Sequence, residues 1–208
     1  VVSAEVGEAP SVDVIDDLLA LGPALRAAVA FGRASIQLRE VAPSWAEYAA
    51  RIDAVAHVVA VRAELVDHVP TVLKVRALRA AGARPVVVAD DPAPIHRARL
   101  IHTGAAAVLT RSDDLDDLLA AVAGVRADDA GRLAGPPELR DVHLSDRQLQ
   151  VACLFAGHGA PSSEWIARSL GVPVTSVRTN LQRARRALGA ANRDELRARL
   201  IDDGWMAA

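Results

Sequence analysis

The chain predicts an α/β domain built on a five-stranded parallel sheet, doubly wound with helices, followed by a smaller all-α domain. Three observations carry this. Residues 11 to 124 alternate short β-type apolar runs with helical ones. A Gly/Pro-bearing stretch, Gly131 to His143 with Gly135-Pro136-Pro137, then breaks the composition. Beyond it, from Leu144, helical periodicity replaces the alternation. The predicted division is 11–124 for the first domain, 125–143 for the linker and 144–208 for the second.

In chain order, Val12 to Ile15, Ser35 to Leu38, Val58 to Val61, Pro85 to Ala89 and Ala106 to Leu109 are the candidate strands. Pro23 to Phe31, Ser44 to Ile52, Pro70 to Ala81, Pro92 to His102 and Asp113 to Ala123 read as the helices between and after them. Parallel strands need crossover connections of this length, so the βα alternation implies a parallel sheet with helices on both faces.

Functional groups on such a sheet collect outside the carboxyl ends of its strands. Asp16 and Asp17 follow the first strand, Arg62 and Glu64 the third, Asp90 and Asp91 the fourth, and Arg111 the fifth. Taken alone, each reads as an exposed polar loop residue. Their shared edge makes them a candidate cluster.

In the C-terminal part, Ser162 to Leu170 forms a short amphipathic helix with Ser162 or Ser163 as its cap and Gly171 as its stop. Val172-Pro173 turns the chain into Thr175 to Leu188, with Thr175 the expected cap. On that second helix Val177, Leu181, Ala184 and Leu188 share one apolar stripe. Thr175, Thr179, Gln182 and Arg186 fall opposite, flanked by Arg178 and Arg183. Two helices about a tight turn with a cationic, donor-rich outer face follow helix-turn-helix logic and suit a nucleic-acid groove. The bland alternative is a solvated arginine face on an ordinary helical bundle. A last helix, Arg193 to Ile201, carries Leu196 and Leu200 one turn apart, and Trp205 in the tail can cover it.

At these residues the chain resembles the LuxR/NarL-type DNA-binding domain. The resemblance rests on Leu144-Ser145-Asp146-Arg147 opening a helix, Ile166-Ala167 with Leu170, Ser176-Val177-Arg178-Thr179, Leu188-Gly189, and Asn192-Arg193 before the last helix. Departures are Gln148 and Gln150 where that family usually has glutamates, Asn180 for histidine, Ala187 for lysine, and a longer loop at Gly157 to Pro161. The resemblance implies a DNA-binding set of Thr175, Ser176, Arg178, Thr179, Gln182, Arg183, Arg185 and Arg186. Arg178, Thr179 and Gln182 would face base edges, with Arg183, Arg185 and Arg186 nearer phosphates. It also implies a homodimer on double-stranded DNA with contact through the last helix.

Residues 11 to 124 resemble the receiver domain of a bacterial response regulator. Asp16-Asp17 matches the acidic pair that holds Mg²⁺, Gly104-Ala105 the turn before strand five, and Arg111 replaces the usual lysine. Arg62 stands at the phosphoacceptor aspartate, Asp90 at the hydroxyl residue after strand four, and Val108 at the switch aromatic. A register shift of two would instead put Glu64 at the acceptor position. Aspartyl phosphorylation needs a carboxylate nucleophile, which an arginine cannot supply. The reading is a degenerate receiver pocket of Asp16, Asp17, Arg62, Asp90 and Arg111, without metal or cofactor, in which Arg62 lies beside the carboxylates of Asp16 and Asp17. Input would come from a protein partner or a small-molecule ligand.

The implied function is a DNA-binding transcriptional regulator of response-regulator architecture, independent of aspartyl phosphorylation, and not an enzyme. The alternative is a sigma-factor-like promoter-binding protein, since GVPVTSVRTNLQRARRAL also resembles the last helix-turn-helix of extracytoplasmic-function sigma factors. That reading requires an all-helical, aromatic-bearing region before it, whereas aromatics make up 3% of the chain. A third class, an enzyme with a helical appendage, would need a nucleotide or substrate site, and neither GxGxxG nor Walker A occurs.

The formal charge of −2 hides an asymmetry: from Leu144 onward nine arginines face six acids, leaving that part near +3 and the remainder near −5. The lone Cys153, among Leu149, Ala152 and Leu154, reads as a buried apolar residue rather than a redox sensor, and excludes an internal disulfide. The six histidines show no ligand spacing. No run spans a bilayer and no signal-type start precedes the first strand, so the expected location is cytoplasmic, with no membrane partner.

Overall fold

The computed structural model describes residues 9–51, 53–110, 112–124 and 138–207. The N-terminal elements follow the expected alternation: β1 (Ser11–Ile15), α1 (Leu21–Ala30), β2 (Gln37–Ala42), α2 (Trp45–Arg51), β3 (Val58–Arg62), α3 (Thr71–Ala80), β4 (Arg84–Val88), α4 (Pro94–Thr103), β5 (Ala107–Leu109) and α5 (Leu115–Ala123). Every strand pair is parallel, in the order β2-β1-β3-β4-β5. The sheet stands where the sigma-factor alternative requires an all-helical region, and the N-terminal half is not of that kind.

Contacts divide the chain into two compact units. The first contains the sheet, within Val1–Leu65, Leu78–Asp90 and Ala105–Asp129. On one face of the sheet Val12, Val14, Val58, Ala60, Val86, Ala107 and Leu109 pack with Leu25 and Ala28 of α1 and Leu118, Leu119 and Val122 of α5. The alternate residues Ile15, Val59, Val61, Val87 and Val108 are also wholly buried. Strands covered on both faces need no polar alternation, and this is why β3 and β4 read as continuous valine-rich runs. Each such side chain contributes roughly 1.5–3 kcal/mol by leaving water.

β2 departs from expectation: it spans Gln37–Ala42, not Ser35 to Leu38. It is an edge strand paired only with β1, and its exposed Gln37 and Arg39 hid the strand behind a polar pattern. α1 lies close beneath it, since a Cβ on Gly22 would meet Val41 Cγ1 at 2.9 Å. Asp13 enters this core: fully buried on β1, it accepts from the Tyr48 hydroxyl at 2.9 Å and the Ala56 N–H at 2.9 Å. Burial, then Asp13, raises the Tyr48 pKa, so this hydroxyl stays a donor and ties α2 to β1.

The second unit comprises Val66–Ala77, Asp91–Gly104 and the described residues of Ala130–Ala208. It thus groups α4 and most of α3 with the C-terminal helices α6 (Asp146–Ala156), α7 (Ser163–Leu170), α8 (Val174–Leu188) and α9 (Arg193–Asp202). α6 opens with a reciprocal cap: Gln148 N–H donates to Ser145 Oγ at 3.3 Å, and Ser145 N–H to Gln148 Oε1 at 3.0 Å. Glutamine performs this role as glutamate would. Ser162 caps α7 through the Trp165 N–H, and left-handed Gly171 ends it. Pro173, not Thr175, is the cap residue of α8, without a side-chain bond; Thr175 lies inside the first turn. A proline at this boundary presets the backbone, and its carbonyl accepts the Ser176 N–H at 3.0 Å and the Val177 N–H at 3.3 Å.

The apolar stripe of α8 is buried as its spacing requires, with Val177, Leu181, Ala184 and Leu188 at 6% exposure or less. α8 packs against α6, α7 and α9, on which Leu149, Val151, Ile166, Leu196 and Leu200 are likewise fully buried. The tail after α9 closes on α4. His96 Nδ1 lies 2.8 Å from Gly204 O, and Arg99 Nε donates to Asp203 O at 2.9 Å. Gly204 adopts φ 73°, and a Cβ there would stand 2.4 Å from Ile95 O, so only glycine permits this approach. Trp205 is 5% exposed and stacks on Arg99 rather than merely covering α9. Among the described residues no helix is long and apolar enough to cross a membrane.

Candidate functional site

The outer face of α8 carries Thr175, Arg178, Thr179, Gln182, Arg183 and Arg186, all exposed, while Ser176 and Arg185 are half-buried. Arg185 leans inward, its guanidinium 5.2 Å from the Phe155 ring centroid. Arg193 stacks on the same ring at 3.8 Å and donates to Ala160 O at 3.0 Å and Pro161 O at 2.8 Å. It thereby holds the loop between α6 and α7. Arg197 donates to Ala156 O at 3.0 Å. These residues count as basic in the sequence, yet Arg193 and Arg197 bind loop and helix-end carbonyls, and Arg185 and Arg193 lie against an aromatic face. The exposed cationic surface of α8 is therefore narrower than the arginine count implies, made of Arg178, Arg183 and Arg186.

Arg178 is itself engaged. Its Nη2 donates to Glu164 Oε1 at 2.7 Å, joining α7 to α8 across the turn. The Glu164 carboxyl is held below its ordinary value by its own backbone N–H at the helix start and then by Arg178. Both side chains are more than half exposed, so the pair adds little to stability. Its effect is to orient a long side chain at the head of α8. Asn180 turns back on its helix, Nδ2 donating to Ser176 O at 2.9 Å.

In the first unit, β1 and β3 are neighbours, and their carboxyl ends bring Asp17, Arg62, Glu64 and Asp90 together. Arg62 ends β3 opposite Val88, and its guanidinium lies 2.7 Å from Asp17 Oδ1, 3.6 Å from Asp90 Oδ2 and 3.9 Å from Glu64 Oε2. Partial burial disfavours the charged guanidinium, but the bond to Asp17 and the fields of Glu64 and Asp90 outweigh it, and the pKa rises. Glu64 also accepts the Asp90 N–H at 2.9 Å.

Asp16 is not part of this cluster, contrary to the expectation that Arg62 sits beside both aspartates. It is 1% exposed, and its two oxygens accept the backbone N–H groups of Leu18, Ala20 and Leu21 at 3.0, 2.7 and 2.9 Å. A carboxylate that satisfies three backbone donors at a helix start is fixed by the loop, which leaves Asp17 as Arg62's partner. Arg111 lies outside the described residues. Among the described residues no group of His, Cys, Asp and Glu could hold a metal ion.

No family model matches the chain, and no curated protein matches its sequence. Solved structures do match its fold. The RcsB response regulator of Salmonella typhimurium superposes with a TM-score of 0.64 at 16% identity, covering 94% of this chain and 98% of that one. RcsB of Salmonella enterica serovar Typhimurium bound to the promoter rprA, with the phosphomimetic BeF3⁻, gives 0.60 at 16% identity over 92% and 98%. A structure of two RcsB dimers bound to two parallel DNAs gives 0.56 at 18% identity over 92% and 98%. The chain therefore has the two-part response-regulator fold, a five-stranded parallel sheet followed by a helical C-terminal region.

Proposed function

We propose that this chain is a DNA-binding transcriptional regulator of response-regulator architecture whose receiver-like half, residues 11–124, is not switched by aspartyl phosphorylation. The observation that carries the DNA-binding reading is the exposed face of α8, where Arg178, Thr179, Gln182, Arg183 and Arg186 project from a helix whose opposite stripe is buried. In this reading Arg178, Thr179 and Gln182 meet base edges, while Arg183 and Arg186 meet phosphates. Arg185, half-buried against Phe155, serves the scaffold more than the phosphates. The neighbours of known structure include promoter-bound and dimeric forms. One helix reads only a few base pairs, so a two-fold dimer over two half-sites is part of the proposal.

The second half of the proposal rests on Arg62. A phosphoacceptor must be a carboxylate placed in line with a phosphoryl group. At the end of β3 the side chain is instead a guanidinium among Asp17, Glu64 and Asp90, a fixed cation where such chemistry uses a bound one. Fluorescence anisotropy on specific and non-specific duplexes tests the DNA reading. Arg178→Ala should cost about 1–3 kcal/mol on a specific site only, and Arg186→Ala should weaken both and flatten the salt dependence. Binding unaffected by either substitution overturns it. Footprinting with full affinity on a single half-site overturns the dimer.

A further inference from the structure

At the carboxyl ends of β4 and β5, between the first turns of α1 and α5, lies a cavity of about 260 Å³. Leu21 and Ala24 of α1, Val88 and Leu109 of the strands, and Leu115 and Leu118 of α5 form its walls. We propose that this cavity binds a small uncharged apolar or aromatic molecule, about the size of one or two fused rings.

Position, chemistry and loop geometry converge on that class. The carboxyl ends of strands are where open α/β sheets take their ligands. The volume is slightly below that of drug-sized sites and above that of an apolar void that takes up benzene. The carboxylates at the rim are already committed: Asp113 Oδ2 accepts the Thr110 N–H at 2.7 Å and Thr110 Oγ1 at 3.0 Å, and Asp114 caps α5 in a reciprocal box with Asp117. The described lining carries no Lys, Arg or His that would bind an anion, and apolar side chains make up most of it.

The chain immediately before the α1 wall is apolar as well. Leu18 and Leu19, immediately before Ala20 and Leu21, are 65% and 53% exposed. Leu19 holds φ 52°, a conformation leucine rarely adopts. Asp16 imposes it by fixing the N–H groups on both sides, at Leu18 and at Ala20 and Leu21. Two exposed leucines, on a backbone that Asp16 holds, thus stand immediately before the α1 wall of the cavity. An occupant would touch α1, both strand ends and α5 at once, and would brace them.

The site uses no residue of α8 and none of the Arg62 cluster, so it can fail while the DNA reading stands, and the reverse. The test is thermal unfolding of the full chain with indole as an uncharged aromatic probe and benzoate as a charged one. Indole is expected to raise Tm in a concentration-dependent way, with benzoate at least tenfold weaker. Ala24→Leu, which fills the cavity, should abolish the indole response in a folded protein; Ala24→Val, a smaller addition, serves where leucine does not fold. No indole response in the wild type, a response unchanged in the filled variant, or equal binding of benzoate overturns the proposal.

Discussion

The Arg99 guanidinium lies 4.1 Å from the ring centroid of Trp205, and both side chains are almost wholly buried. Arg99 also donates to Asp203 O at 2.9 Å and Arg140 O at 3.0 Å, so one α4 side chain secures the tail beyond α9 and the segment before α6. Burial pulls the Arg99 pKa down, with Asp203 and then Asp141 acting against it. Its charge nonetheless adds to that of Arg140, whose Nη1 lies 3.6 Å from Asp203 Oδ1, in compensating a carboxylate that is 1% exposed.

Arg99→Ala should therefore cost about 3 kcal/mol, since it removes two charge-assisted bonds and leaves Asp203 less compensated. Arg99→Lys keeps the charge but loses the planar fork, and should recover only part of that. Trp205→Phe should cost less than Trp205→Ala, for which about 3–5 kcal/mol is expected. Urea unfolding followed by circular dichroism measures all of these. A loss below about 0.5 kcal/mol for Arg99→Ala would show that the stack does not form in solution.

Arg62→Asp inverts the charge at the centre of Asp17, Glu64 and Asp90. Four neighbouring carboxylates would then repel one another without a counter-cation, and stability should fall by a few kcal/mol in metal-free buffer. Mg²⁺ should restore part of it, because four oxygen ligands suit a hard divalent ion and binding to the native state shifts unfolding. The wild type should show little Mg²⁺ response. Thermal melts of both proteins with and without Mg²⁺ decide the matter, and an equal Mg²⁺ stabilisation in the wild type would sink the fixed-cation account.

The legibility of these features followed the range of the interactions behind them. Continuous apolar runs marked β3 and β4, and i, i+3, i+4 spacing marked α8, because both are local consequences of burial. The β1–β3 adjacency followed from the resemblance in strand order, and it placed Arg62 beside Asp17. What escaped depends on backbone direction or on contacts distant in sequence. That Asp16 turns back on its own loop depends on three backbone donors whose directions no residue pattern encodes. Phe155 collecting Arg185 and Arg193 depends on how α6, α8 and α9 cross. The buried Asp13–Tyr48 pair joins residues far apart in sequence, as does the clasp of α4 on the tail.

Cys153 supplies a pH test. Burial pushes its thiol from an ordinary value near 9 up to about 12, so the folded protein keeps it neutral while the unfolded chain ionises it. As the pH nears 9 the unfolded state begins to bind fewer protons than the folded one, and stability falls as pH rises toward 12; well below 9 the thiol contributes no pH dependence. Relative to Cys153→Ala, the wild type should lose about 1.6 kcal/mol between pH 9 and 10.5, on a slope that steepens toward roughly 1.4 kcal/mol per unit. Parallel alkaline slopes in urea unfolding of the two proteins would contradict the burial. The same burial predicts negligible reaction with a thiol reagent at pH 8 unless the protein is unfolded.

The Glu164–Arg178 pair makes the last prediction, and it concerns how α8 meets DNA. Glu164 places a negative charge 2.7 Å from a guanidinium on the face proposed to enter the groove. On approach to DNA that carboxylate both competes for Arg178 and repels phosphate. Glu164→Gln should therefore tighten binding to a non-specific duplex by about two- to tenfold at low salt, with the gain shrinking as ionic strength rises. If the effect runs through Arg178, it should be smaller in an Arg178→Ala background, and the double-mutant cycle isolates that coupling. Lowering the pH from 7 to 5 should not mimic the substitution, because the carboxyl titrates below the usual glutamate range and the pair persists. An unchanged or weakened affinity for Glu164→Gln would place the DNA on a different face of the helical region, and the assignment of α8 as the reading helix would fall with it.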